Sequence, residues 1–174
     1  MPLHLEPLDM SVELEGYKSV LIVSCPICPP VSLATDGGSP LMEFFRSGIK
    51  TGAYEDYVRE VRKSLEERGV KTGVFTSYLP CTAMCLWTKG QRNRLWKRAK
   101  DYEAALVMGC ESARYTVEET LKNTDCRVLL GMRLVGITNA TLKFEFPLTA
   151  KLEDLARVKA NEVIQDDSHQ RPMI

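Results

Sequence analysis

Residues 19–30 read SVLIVSCPICPP: a run with Val20, Leu21, Ile22 and Val23 at its centre passes directly into a Cys-x-x-Cys pair and two prolines. Four successive apolar residues without polar alternation suit a strand buried on both faces, the habit of parallel sheets. Residues 70–77, 104–109 and 127–131 share that character, each bounded by Gly, Pro or charge. Between these runs, 40–47 and 53–68 read as helices, and the second puts Tyr54, Tyr57, Val58, Val61 and Leu65 on one stripe before a stop at Gly69. Residues 88–102 and 112–123 read as two more helices, the latter opened by Ser112. Strand and helix therefore alternate, which predicts right-handed crossovers and a mainly parallel sheet.

Beyond the fourth run the pattern changes. Gly131 and Gly136 leave no room for a crossover helix before residues 141–146, where Leu142, Phe144 and Phe146 alternate as in an antiparallel edge strand. Residues 151–164 have helical spacing, 31–40 read as loop after the prolines, and 165–174 form a polar tail. The sequence thus predicts an α/β fold: a single three-layer domain over residues 18–164, four parallel strands plus an antiparallel edge strand, flavodoxin- or Rossmann-like. An extension, 1–17, precedes it.

Composition sets bounds on function. The 174 residues are about one domain's worth of chain. With 23 basic against 23 acidic side chains, composition gives no case for wholesale nucleic-acid or membrane binding. The longest uncharged stretch, 19–35, is broken by Pro26, Pro29 and Pro30 and is shorter than the roughly 20 apolar residues a membrane span needs. Residues 1–18 hold no basic segment followed by an apolar run, so a cytoplasmic location is expected. In that compartment six cysteines suit metal ligation or redox chemistry better than a disulfide framework.

Ligands of open parallel sheets bind beyond the carboxyl ends of the strands. Five cysteines fall there: Cys25 and Cys28 after the first run, Cys81 and Cys85 after the second, Cys110 after the third. Cys126 precedes the fourth run and belongs at the opposite edge, roughly 20 Å away. Gathered thiolates select soft centres, so an iron–sulfur cluster is the leading expectation and zinc the alternative. The 28-to-81 spacing is far longer than in zinc ribbons or fingers, and which four thiols ligate stays open. A thiol/disulfide redox enzyme is a further alternative, weakened because the loop reading of 31–40 leaves no helix to activate Cys25. Cysteine as a small buried hydrophobe is the plainest reading.

The other candidates are few. His4 and His169 are the only histidines and both are near the termini, which disfavours histidine-based hydrolysis. Glu111, beside Cys110, is a candidate acid or base, and Asp36 a weaker one; Arg114 and Trp87 are candidates for contacting a bound anionic centre. Gly37, Gly38 and Ser39 lack any phosphate-loop spacing. Residues 89–100 carry Lys89, Arg92, Arg94, Lys97, Arg98 and Lys100 with no acid, a solvated face or a dock for a larger redox enzyme or an acidic electron-carrier protein; nucleic acid is disfavoured for want of a recognised motif. Without a nucleotide or flavin fingerprint, the expected role is an electron-transfer or accessory subunit, with a zinc-binding scaffold or metal-delivery protein as the alternative.

Overall fold

The computed structural model describes residues 2–48, 50–78 and 82–159. Its centre is a four-stranded parallel sheet in the order β4-β2-β5-β6, formed by β2 (Ser19–Ser24), β4 (Lys71–Thr76), β5 (Ala104–Met108) and β6 (Arg127–Leu130). The register aligns Ser24 with Thr76 on one side and Met108 on the other, and Val107 with Leu130, so all four carboxyl ends share one edge. Each of the four apolar runs is therefore a strand of one sheet.

Because alternate strand residues point to opposite faces, this sheet builds two cores. Leu21, Val23, Ala105 and Val107 pack with residues of α4 (Lys89–Ala99) and α5 (Glu111–Leu121). Val20, Ile22, Ala104 and Leu106 pack with Tyr54, Val58 and Leu65 of α3 (Gly52–Glu67), the stripe that the sequence pattern marks. Gly69, at φ +79°, turns the chain from α3 into β4. Thr88 caps α4 through a capping box with Gln91. Cys110, not Ser112, occupies the N-cap of α5.

Three expectations are corrected here. Of the expected loop 31–40 only 37–40 is one, for Cys28–Asp36 form helix α1 with Pro29 and Pro30 in its first turn, where proline's fixed φ and missing N–H do no harm. Over 40–47 there is a two-residue strand β3 (Met42–Glu43) and a single turn α2 (Phe44–Ser47). The strand expected at 141–146 is not an edge of the parallel sheet. It belongs to β7 (Met132–Glu145), which with β1 (Leu3–Pro7), β8 (Thr149–Lys159) and β3 makes a second, antiparallel sheet in the order β1-β7-β8-β3.

The helix expected at 151–164 is also overturned over its described part, since β8 pairs with β7 from Glu145↔Thr149 to Gly136↔Lys159. Its helical spacing misleads because a bulge opposite residues 139–141, with Asp154 at φ +49°, breaks the strand alternation. The chain changes sheets at Gly131, whose N–H donates to Val107 and whose carbonyl accepts from Leu8. Of residues 1–17, Leu3–Pro7 form β1, with Leu5 fully buried against the parallel sheet's α3 side. The 160–174 segment, including the expected tail and His169, lies outside the described residues. Among the described residues no helix is long and apolar enough to cross a membrane.

Candidate thiol site

At the shared carboxyl edge the chain leaves β2 through Cys25, whose N–H donates to the Met108 carbonyl at 3.0 Å and so extends the β2–β5 pairing by one residue. Beneath it, Tyr54 of α3 donates from Oη to the same carbonyl at 3.4 Å and shares a 2.5 Å hydrogen bond with Ser24 Oγ. One buried tyrosine thus ties the ends of both strands. Gly109 lets these parts approach: a Cβ there would stand 3.3 Å from Cys25 Cβ and 2.8 Å from Ala113 Cβ.

Four free thiols lie at or beside this edge. Cys25 is buried, Cys28 opens α1, Cys110 caps α5, and Cys85 lies exposed on the single 3-10 turn Met84–Leu86. The group is electrostatically joined, for Cys25 senses Cys28 and Cys110, while Cys28 senses Cys110 and Cys85. Burial pushes the Cys25 thiol up to about 11, against backbone hydrogen bonds from Met84 and Ile27 that favour its thiolate. Burial likewise raises Cys28, with the neighbouring thiols adding to the effect and a backbone hydrogen bond at Leu3 opposing it. Met84, on the turn Met84–Leu86, is buried in the same cluster as Cys25.

Cys81 lies outside the described residues. Among the described residues no three Cys, His, Asp or Glu side chains converge on one metal-sized point. The four thiols are neighbours, not a closed coordination shell. Cys126 stands apart: it precedes Arg127, which pairs with Ala104 at the start of β5, at the amino edge of the sheet, and burial raises its thiol to about 11.

The remaining candidates are placed as follows. Glu111 is exposed and 3.6 Å from Arg114, whose guanidinium also holds Glu118 at 2.8 Å. Arg114 is therefore engaged along its own helix. Trp87 is buried in the cluster that contains Cys25, packs edge-on against Phe75 at 5.7 Å, and its indole N–H has no hydrogen-bond partner among the described residues. Asp36 accepts from Arg157 at 2.8 Å and lies 3.3 Å from His4 Nε2, an arrangement that pins α1 to the second sheet. On α4, Arg92 donates to the carbonyls of Thr116 and Trp87, Arg94 to Ser77 Oγ, and Arg98 lies over the Tyr102 ring, while Lys89 and Lys97 are exposed.

Sequence reasoning missed Ser24, Tyr54, Met84 and Gly109. Tyr54 was visible only as a member of an apolar stripe, and the role of the Met84 amide has no side-chain signature. Compared with known proteins, the chain matches no family model, no curated protein and no solved structure.

Proposed function

We propose that the chain is a cytoplasmic electron-transfer or accessory subunit of a larger oxidoreductase, carrying a thiolate-ligated metal centre, an iron–sulfur cluster with zinc as the alternative, at the carboxyl edge of the parallel sheet. The observation that carries it is that Cys25, Cys28, Cys85 and Cys110, from three separate segments, follow strands that all end at that edge. Cys81, four residues before Cys85, is the further candidate ligand. The strand order supports a flavodoxin-like, three-layer reading of the parallel half, in which β2 and β5 flank the point where crossovers change direction, the usual ligand position in such sheets.

The raised thiols favour the metal reading over the redox-enzyme one. A thiol/disulfide enzyme needs a thiolate at neutral pH, and the start of α1 at Cys28 would favour one. Burial raises the Cys25 and Cys28 thiols, and the neighbouring sulfurs add to it. A soft metal reverses the balance because it replaces the protons and supplies the positive charge. The buried Trp87 N–H, which has no partner among the described residues, is a donor of the kind that tunes cluster sulfurs. Lys89, Arg92, Arg94, Lys97 and Arg98 on α4 offer a basic surface to the acidic redox partner.

The test is iron and acid-labile sulfide in anaerobically purified protein, with absorption near about 400 nm. Near-stoichiometric iron is expected, diminished by Ser replacement of Cys25, Cys28, Cys81, Cys85 or Cys110 and unaffected by Cys126→Ser. Metal-free, colourless protein of full stability refutes the metal reading, and stoichiometric zinc replaces the electron-transfer role with the scaffold one.

A further inference from the structure

Both later crossover helices pack on one side of the parallel sheet, for Leu95 and Ala99 of α4 share a core with Ala113, Val117 and Leu121 of α5. On the other side lies α3, and the chain beside it over Leu106 and Met108 of β5 is the segment 8–14, which is neither helix nor strand. A short segment covers less than a helix would. Between it and α3 the structure leaves a cleft of about 300 Å³. Leu106 and Met108 are its most buried lining, Tyr57 and Val61 line it from α3, and Met10 and Leu14 line it from the segment. The segment is tied in place: Leu8 donates to the Gly131 carbonyl at 3.0 Å, Leu14 to the Met10 carbonyl at 3.0 Å, and the Arg68 guanidinium to the Ser11 carbonyl at 3.2 Å. The cleft is therefore preformed, as small-molecule sites usually are.

We propose that this cleft binds a small aromatic amine, its ring among Met10, Tyr57 and Met108 and its ammonium group beside Asp9 and Glu60. Size sets the first limit. An apolar cavity of roughly 150 Å³ holds benzene, so this cleft has room for one ring with a short side chain. The walls set the second limit, for Met10 and Met108 bring polarizable thioethers and Tyr57 a ring, contacts that favour an aromatic guest beyond plain apolar burial. Charge sets the third. Asp9, Glu60 and Arg68 are the charged residues that line the cleft, and Arg68 is engaged with the Ser11 carbonyl. Asp9 accepts from Ser11 at 3.0 Å, and among the described residues neither Asp9 nor Glu60 has a cationic partner. Glu60 bears directly on the cleft, because the Tyr57 hydroxyl is held up by burial and then by that carboxylate. Two carboxylates against one guanidinium favour a cationic guest over an anionic one. No described cysteine lines the cleft, so the site stands apart from the thiol edge and from its metal reading.

The experiment is a titration of the full, reduced chain with phenethylamine at about pH 7 and low salt, followed by NMR of isotope-labelled methionine methyl groups. The Met10 and Met108 signals are expected to shift together and to saturate with a Kd below about 1 mM, while Met84, in the opposite core, stays in place. Asp9→Asn combined with Glu60→Gln is expected to weaken binding about 10-fold. Ser64→Trp, which places a ring at an exposed lining position, is expected to abolish the shifts. Phenylpropionate, similar in size and opposite in charge, is expected to bind at least about 10-fold more weakly. Absence of a saturable shift at Met10 and Met108 up to about 10 mM phenethylamine overturns the proposal. Phenylpropionate or neutral phenylethanol binding as tightly as the amine overturns it in favour of an anionic or uncharged guest. Since these titrations of the wild-type chain alone can refute it, misfolding of a variant would not shield it.

Discussion

Gly109→Ala tests whether the thiol site depends on close approach at the end of β5. The added methyl would stand 2.8 Å from Ala113 Cβ, 3.3 Å from Cys25 Cβ and 3.7 Å from Val107 Cγ1. Aliphatic carbons rest at roughly 3.5–4.0 Å, so the Ala113 contact is short by about 1 Å. Neither Ala113 Cβ nor Cys25 Cβ can swing aside, because each is fixed to its backbone. The first turn of α5 must therefore lift from β5, carrying Cys110 with it. Overpacking of this kind costs about 1–3 kcal/mol, and the reduced entropy of the unfolded chain returns about 0.4–1 kcal/mol. A net loss of about 1–2 kcal/mol lowers the melting midpoint by roughly 2–8 °C in a domain of this size. Gly90→Ala serves as the control, since its Cβ meets only Thr88 Oγ1 at 3.9 Å inside α4 and the change favours helix. Thermal and urea melts of both variants decide the matter, and iron content is expected to fall only in Gly109→Ala. A Gly109→Ala midpoint at or above wild type would show that α5 is not seated as described.

Two further outcomes follow from single groups. Burial holds the Cys126 thiol up to about 11 in the folded chain against 9.0 for an unperturbed one; its stabilising contribution is thus complete below about pH 9 and lost as pH rises through about 11. The urea-midpoint gap between wild type and Cys126→Ala is expected to narrow from about pH 8 to about pH 10.5, and a constant gap contradicts the burial account. On α4, Lys89→Glu with Lys97→Glu, both exposed, is expected to leave the melting midpoint unchanged while weakening capture of an acidic redox partner, and equal capture by the variant at low salt returns the helix to a plain solvated face.

Much of the parallel half was legible because its determinants are local. Ser19–Ser24 and Ala104–Met108 are buried strands without a polar face, Lys71–Thr76 and Arg127–Leu130 flank them as more exposed strands, and the stripe from Tyr54 to Leu65 has the period of a helix covering the sheet. The second sheet was not legible, for the opposite reason. Its long strands owe their state to each other, through pairing from Glu145↔Thr149 to Gly136↔Lys159, and the bulge near Asp154 shifts Leu152 and Leu155 into a spacing that mimics a helix. Tertiary pairing overrides such a local signal. At α1 the error ran the other way. Pro29 and Pro30 suit the first turn of a helix, where they leave no hydrogen bond unmade, but Ser32, Asp36, Gly37, Gly38, Ser39 and Pro40 give the following stretch the composition of a loop, and that local signal hides the helix through Asp36.

The site was legible as a position and not as a chemistry. Chain direction alone sends Cys25, Cys28, Cys85 and Cys110 to one edge and Cys126 to the other, because every strand of a parallel sheet ends on the same side. Which species those thiols present depends on charges that spacing does not encode. Burial and mutual proximity raise Cys25 and Cys28, and Arg114, one turn into α5, is held by Glu111 and Glu118. The starts of α1 and α5 supply only partial positive charge, equivalent to about half a unit each. Four thiolates at this edge would therefore exceed what the surrounding helix starts and Arg114 can neutralise. In the proposed metal centre that charge would come with the metal, whereas without one the raised thiols hold their protons and need none.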